Sequence, residues 1–110
     1  MIDEESWIGV DLDGTLAEYV EWRGEQHIGA PVPLMLDRVK KWIADGIRVK
    51  IFTARANHTE YLPYIKAWME VNGLPELEIT SVKDFTMIEL WDDRCVQVEK
   101  NTGKRIDGKD

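Results

Sequence analysis

Residues 7–16 read Trp7-Ile8-Gly9-Val10-Asp11-Leu12-Asp13-Gly14-Thr15-Leu16, and this stretch decides the fold. The run 7–10 is apolar and partly β-branched, which is the pattern of a short buried strand. Asp11 closes it, and Asp13-Gly14 is a turn-forming pair, so the strand ends in a loop that carries two carboxylates. Whatever follows must cover this strand and place partners beside it.

Outward from there, residues 17–33 (AEYVEWRGEQHIGAPVP) hold two Gly and two Pro with no sustained period and are expected to form a long loop. Over residues 34–45, Leu36, Val39, Trp42 and Ile43 recur at helical spacing, and Gly46 supplies a C-terminal stop. Residues 47–52 alternate and are rich in β-formers, predicting a second strand that ends at Thr53. Asn57 and Thr59 are candidate caps for a second helix, regular from near Leu62, whose apolar face is Leu62, Ile65, Trp68 and Met69 and which stops at Asn72-Gly73. Two short apolar runs, 77–82 and 87–91, predict further strands, and 96–98 an edge strand. Strands alternating with helices predict an α/β fold: a Rossmann-like, mainly parallel sheet flanked by helices. One domain is expected over residues 1–100, with 101–110 as a flexible tail. Trp42 and Trp68 lie near the helix stripes and are expected in the core.

With 110 residues, 44% hydrophobic and 32% charged, the composition is globular. No apolar run approaches the ~20 residues of a membrane span, so no membrane partner is expected. The acidic opening MIDEESW differs from a secretory leader, and the expected location is the cytoplasm. Cys95 has no second cysteine to pair with and is expected to be a small apolar filler. Fourteen basic against 21 acidic residues give a net charge of −7, which disfavours extended nucleic acid as a partner. A small phosphorylated substrate remains compatible, because a divalent cation outweighs the global field at close range.

Reactive side chains fall at the predicted strand ends: Asp11 and Asp13 after the first, Thr53 after the second, Lys83 after the third, Asp92 and Asp93 after the fourth. A parallel sheet gathers such residues at one edge. Carboxylates brought together repel, so the cluster implies a bound cation, and oxygen ligands of this kind suit Mg²⁺. A calcium loop beginning at Asp11 would need Gly at its sixth position and Glu at its twelfth, where Leu16 and Trp22 stand. His27 and His58 lack the paired spacing of a metal site and are expected to be structural or solvent-facing. Arg55 and Arg94 fit either a substrate phosphate or an ion pair.

The segment 10–16 resembles the first motif of the haloacid dehalogenase (HAD) superfamily phosphatases. Thr53 in VKIFTAR is similar to the second motif, Lys83 in TSVKD to the third, and Asp92-Asp93 in IELWDD to the fourth, over residues 7–98. The resemblance implies a Mg²⁺-dependent phosphomonoesterase of the small, capless or minimally capped phage and bacterial branch. It assigns Asp11 as nucleophile through an aspartyl-phosphate, Asp13 as general acid and base, Thr53 as a donor to a phosphoryl oxygen, and Lys83 as the charge-compensating cation. Mg²⁺ would be held by Asp11, by the backbone carbonyl of Asp13, and by Asp93 directly, with Asp92 behind it. Asp13 itself favours phosphate chemistry over dehalogenation. The implied substrate is a small metabolite such as a nucleotide or sugar phosphate; alternatives are a polynucleotide-end phosphatase and a non-catalytic binding module. Tyr19, Trp22 and His27 in the 17–33 loop are candidates for a lid over the pocket.

Overall fold

The computed structural model describes residues 5–109. Strand β1 (Trp7–Asp11) has four buried residues in succession, as the apolar run requires. It lies between β2 (Arg48–Phe52) and β4 (Met87–Trp91), while β3 (Glu78–Thr80) extends the sheet beyond β2. The order is therefore β3-β2-β1-β4, and every pairing is parallel. This is the expected α/β, Rossmann-like sheet. The β1–β4 register shifts once between Trp7 and Ile8.

Helix α1 (Pro33–Ala44) connects β1 to β2, and α2 (Leu62–Val71) connects β2 to β3. Pro33 sits in the first turn of α1, where a missing N–H costs nothing. Gly46, at φ 80°, follows its end. Met35 and Val39 of α1 and Ile65 and Met69 of α2 share one buried cluster with Ile8, Val10, Val49 and Ile51. Alternation along a strand puts those four sheet residues on the same face, so both helices cover that face. Trp42 and Trp68 pack partly buried against the cluster, as expected. On the other face Trp7 is fully buried, stacked on Phe52 at 6.4 Å between centroids, with Lys50 Nζ 4.4 Å from its ring. Its indole N–H donates to Asp84 at 2.9 Å, which ties the β3–β4 loop to β1.

The structure departs from the sequence expectations at four places. Neither Asn57 nor Thr59 caps α2: two 3₁₀ turns, Ala54–Asn57 and Thr59–Tyr61, precede it, and Tyr61 occupies the cap position without a side-chain bond. The cap that does form is Thr53, whose side chain accepts from the Arg55 N–H at the first of those turns. Residues 96–98 do not join the sheet. Val98 instead bridges Arg105, with Glu99 N–H donating to the Lys104 carbonyl and Ile106 N–H to that of Gln97, so the expected tail folds back as a tight hairpin. Cys95 is exposed rather than a core filler, because it follows β4 past the last strand residue, where no helix covers the chain. Among the described residues no helix is long and apolar enough to cross a membrane.

Candidate active site

All four strands run the same way, so their carboxyl ends share one edge: Asp11 ends β1, Thr53 follows β2, and Asp92-Asp93 follow β4. The loop after β1 is anchored from beneath. Leu12, Leu16 and Ala17 are completely buried, and the Ala17 N–H donates to the Leu12 carbonyl at 2.8 Å. With alternate residues committed to the core, Asp11, Asp13 and Thr15 are left only partly buried at the sheet edge. Gly14 is required twice over. Its φ of +93° suits glycine, and a Cβ there would lie 2.7 Å from the Asp93 carboxylate.

Asp11, Asp92 and Asp93 each offer one carboxylate oxygen, all within 4.8 Å of one another. Burial first, then the Asp92 charge, contact with Asp93 and its charge, and the Asp13 charge push the Asp11 carboxyl up to about 7. Thr15 organises the group: its hydroxyl lies 3.4 Å from Asp11 Oδ2 and 3.2 Å from Asp93 Oδ1, and it accepts the Asp93 N–H at 2.9 Å. Carboxylates converging on one point, with a hydroxyl bridging two of them, are a donor set of the hard-oxygen kind that fits a divalent cation.

A cavity of about 480 Å³ opens beside this group, and Asp11, Asp13, Thr53, Arg55, Asp93 and Arg94 are among the residues that line it. Asp93 faces this cavity, whereas Asp92 lines a neighbouring groove with Cys95. Thr53 is buried and accepts the Arg55 N–H at 3.1 Å, and a hydroxyl that accepts one bond keeps its own proton to donate. Lys83 is not gathered in: it is exposed in the β3–β4 loop, where it lines the Asp92 groove rather than the cavity.

Arg55 takes the ion-pair alternative. Only 5% exposed, it grips Asp13 with both arms, Nε to Oδ2 at 2.7 Å and Nη2 to Oδ1 at 3.0 Å. Two more of its N–H groups donate to the backbone carbonyls of Glu25 at 3.1 Å and His27 at 2.9 Å. One guanidinium thus fastens the 17–33 loop to the end of β2. Arg55→Ala is expected to cost about 3 kcal/mol in urea unfolding, because it strands a partly buried carboxylate and two carbonyls. Arg55→Lys should recover little, having no fork; a loss below about 1 kcal/mol for the alanine variant would contradict this role.

The sequence reading gives no role to Thr15 or Tyr61, and for Arg55 it leaves two alternatives open. Thr15 sits within the quoted motif four residues after Asp11, and that spacing across a tight loop was the available signal. Arg55 had one too, as the second residue past a strand end, where a cation meets the carboxylates of the neighbouring strand.

These features define an α/β domain with a polar site at the carboxyl edge of its sheet. No family model matches the chain, and no curated protein does. Among solved structures it is similar to a conserved protein from Bacteroides thetaiotaomicron, with 24% identity, a TM-score of 0.62, and coverage of 82% of this chain and 77% of that one. That likeness shows the fold.

Proposed function

We propose that the chain is a Mg²⁺-dependent phosphohydrolase of the HAD type that attacks phosphomonoesters with Asp11. The observation that carries the reading is the convergence of Asp11, Asp92 and Asp93 at the strand ends, beside a cavity that also presents Asp13 and Thr53. Asp11, Asp93 and the Asp13 carbonyl would hold Mg²⁺, with Asp92 in support. When bound, the ion offsets the carboxylate charges and those of the phosphoryl oxygens.

In this reading Asp11 Oδ bonds to phosphorus while the ester P–O bond breaks, and the leaving alkoxide takes a proton from the Asp13 carboxyl. Water then attacks the aspartyl-phosphate, giving its proton to Asp13, and the P–O bond to Asp11 breaks to release phosphate. Both Asp13 oxygens accept from Arg55 in this structure, so proton transfer requires one arm of that fork to open. Thr53 donates to a non-bridging oxygen. Arg94, which lines the cavity, is better placed than Lys83 to balance phosphoryl charge.

A phosphate-release screen over nucleotides, sugar phosphates and glycerol phosphates tests this. Turnover is expected with Mg²⁺ and is expected to vanish with EDTA and return when Mg²⁺ is restored. Turnover indifferent to EDTA would overturn the metal-dependent reading.

A further inference from the structure

Besides its carboxylates the 480 Å³ cavity is lined by aromatic rings: Tyr19, Trp22, His58 and Tyr61. Three of them form a row. Trp22 and Tyr61 are 6.1 Å apart between centroids, and His58 and Tyr61 5.0 Å. None belongs to the hydrophobic core. Trp22 is 52% exposed and Tyr19 47%. Single exposed rings need no explanation, whereas grouped ones mark ligand or interaction sites. Here they line one cavity together.

The row is also held in place. The Arg55 guanidinium lies 4.8 Å from the Trp22 ring, and Arg55 is fixed by Asp13 and by two loop carbonyls. Trp22 therefore rests on a buried cation held by four hydrogen bonds, so less ordering is left for a ligand to supply. Such a wall offers π faces. A sugar phosphate, whose hydroxyls need hydrogen-bond partners, would gain little there, whereas a nucleobase has a π face to stack.

Resting on the phosphohydrolase reading of the same site, we propose that the substrate is a mononucleotide, its phosphate at Asp11 and its base against the wall of Trp22, Tyr61 and His58. Carboxylates and rings reach the same cavity from different elements: Asp11 and Asp93 come from strand ends, Trp22 from the 17–33 loop, Tyr61 from the second 3₁₀ turn and His58 from the residue between the two turns. A ligand that engages both carries a phosphate and a planar ring in one molecule, as a nucleotide does. About 480 Å³ is within the range of small-molecule sites.

The test compares nucleoside 5′-monophosphates, ribose 5-phosphate, an aryl phosphate and a phosphate-ended oligonucleotide, in wild type and in Trp22→Ala and Trp22→Phe, with folding checked by melting temperature. The nucleotide is expected to have the highest kcat/KM. Its preference over ribose 5-phosphate should fall about tenfold or more in Trp22→Ala, mainly through KM, and recover largely in Trp22→Phe. A preference unmoved by Trp22→Ala, or the aryl phosphate or oligonucleotide as best substrate, overturns the proposal while the phosphohydrolase reading survives. If no phosphomonoester is turned over, that reading fails, and calorimetric titration of wild type with the nucleotide and Mg²⁺ still decides the aromatic site. Binding weakened about tenfold by Trp22→Ala supports it, and absence of binding overturns it.

Discussion

Replacing Asp11 by Asn is expected to lower turnover at least ~10³-fold, because in the proposed mechanism it removes the nucleophile while keeping its shape. The same substitution should raise, not lower, the melting temperature in metal-free buffer. Asp11 sits against Asp92 and Asp93, with the Asp13 charge also raising its carboxyl, and an amide carries no charge to be repelled. The Thr15 hydroxyl, 3.4 Å from Asp11 Oδ2, can still meet an amide oxygen at that position. Steady-state phosphate release and a thermal melt on the same preparation separate these outcomes. Turnover within tenfold of wild type would remove Asp11 from the nucleophile role. Lost turnover with a lowered melting temperature would mean that Asp11 supports the fold, against the charge repulsion expected at its carboxyl.

Much of the fold was legible because hydrophobic pattern and covering element agree. The run 7–10 is fully buried in β1, and the spacing of Leu36, Val39, Trp42 and Ile43 places α1 within a residue of its observed span, Pro33–Ala44. The misreadings share a cause, which is local patterns whose outcome tertiary contacts decide. Asn57 and Thr59 have the chemistry of caps, but the chain after Thr53 must first turn across the sheet edge, and two 3₁₀ turns do this before α2 starts. The 96–98 run has strand composition yet lies beyond the sheet, so its polar backbone pairs with residues 104–106 instead.

For the candidate site, what could be read was the position of residues along strands, because parallel strands place their ends at one edge. Asp11, Asp13, Thr53 and Asp93 meet around one cavity on that ground alone. Lys83 shows the limit of the rule. It stands three residues past Thr80, the end of β3, and β3 is the far edge of the sheet from β4, so strand-end proximity does not carry it to Asp11. Nor could composition say that Arg55 would close on Asp13, since a surface ion pair and a buried fork look identical in one dimension. The aromatic wall is hidden for the same reason: Trp22 and Tyr61 are far apart in sequence and meet only through the 17–33 loop and the turn before α2.

In metal-free buffer the protein is expected to lose stability as pH rises from about 4 to about 7. The Asp11 carboxyl has an ordinary value of 3.8 and is pushed up to about 7 in the folded chain, chiefly by burial and then by Asp92. Between those values the folded form binds more protons than the unfolded one, so raising the pH favours unfolding, and above about 7 the effect is complete. Because Asp11 is only half-buried, solvent screening leaves about 1–2 kcal/mol of this, a few degrees in a domain of this size. Asp84 works in the opposite direction but outside the window. Held down to about 2, chiefly by the Thr86 hydroxyl and then the Trp7 indole, it contributes stability that is already present above pH 4 and is lost only as pH falls toward 2. Mg²⁺ should reverse the trend, since it binds the ionised cluster: its stabilisation should be small at pH 5 and larger at pH 8. Melting temperatures between pH 4 and 8, in EDTA and in Mg²⁺, measure both effects. Asp11→Asn serves as the control, because the general repulsion of a chain with net charge −7 persists in it while the carboxyl titration does not. A fall of the same size in wild type and Asp11→Asn would place the pH dependence in the global charge, and a Mg²⁺ effect equal at pH 5 and pH 8 would show that the ion does not engage this cluster.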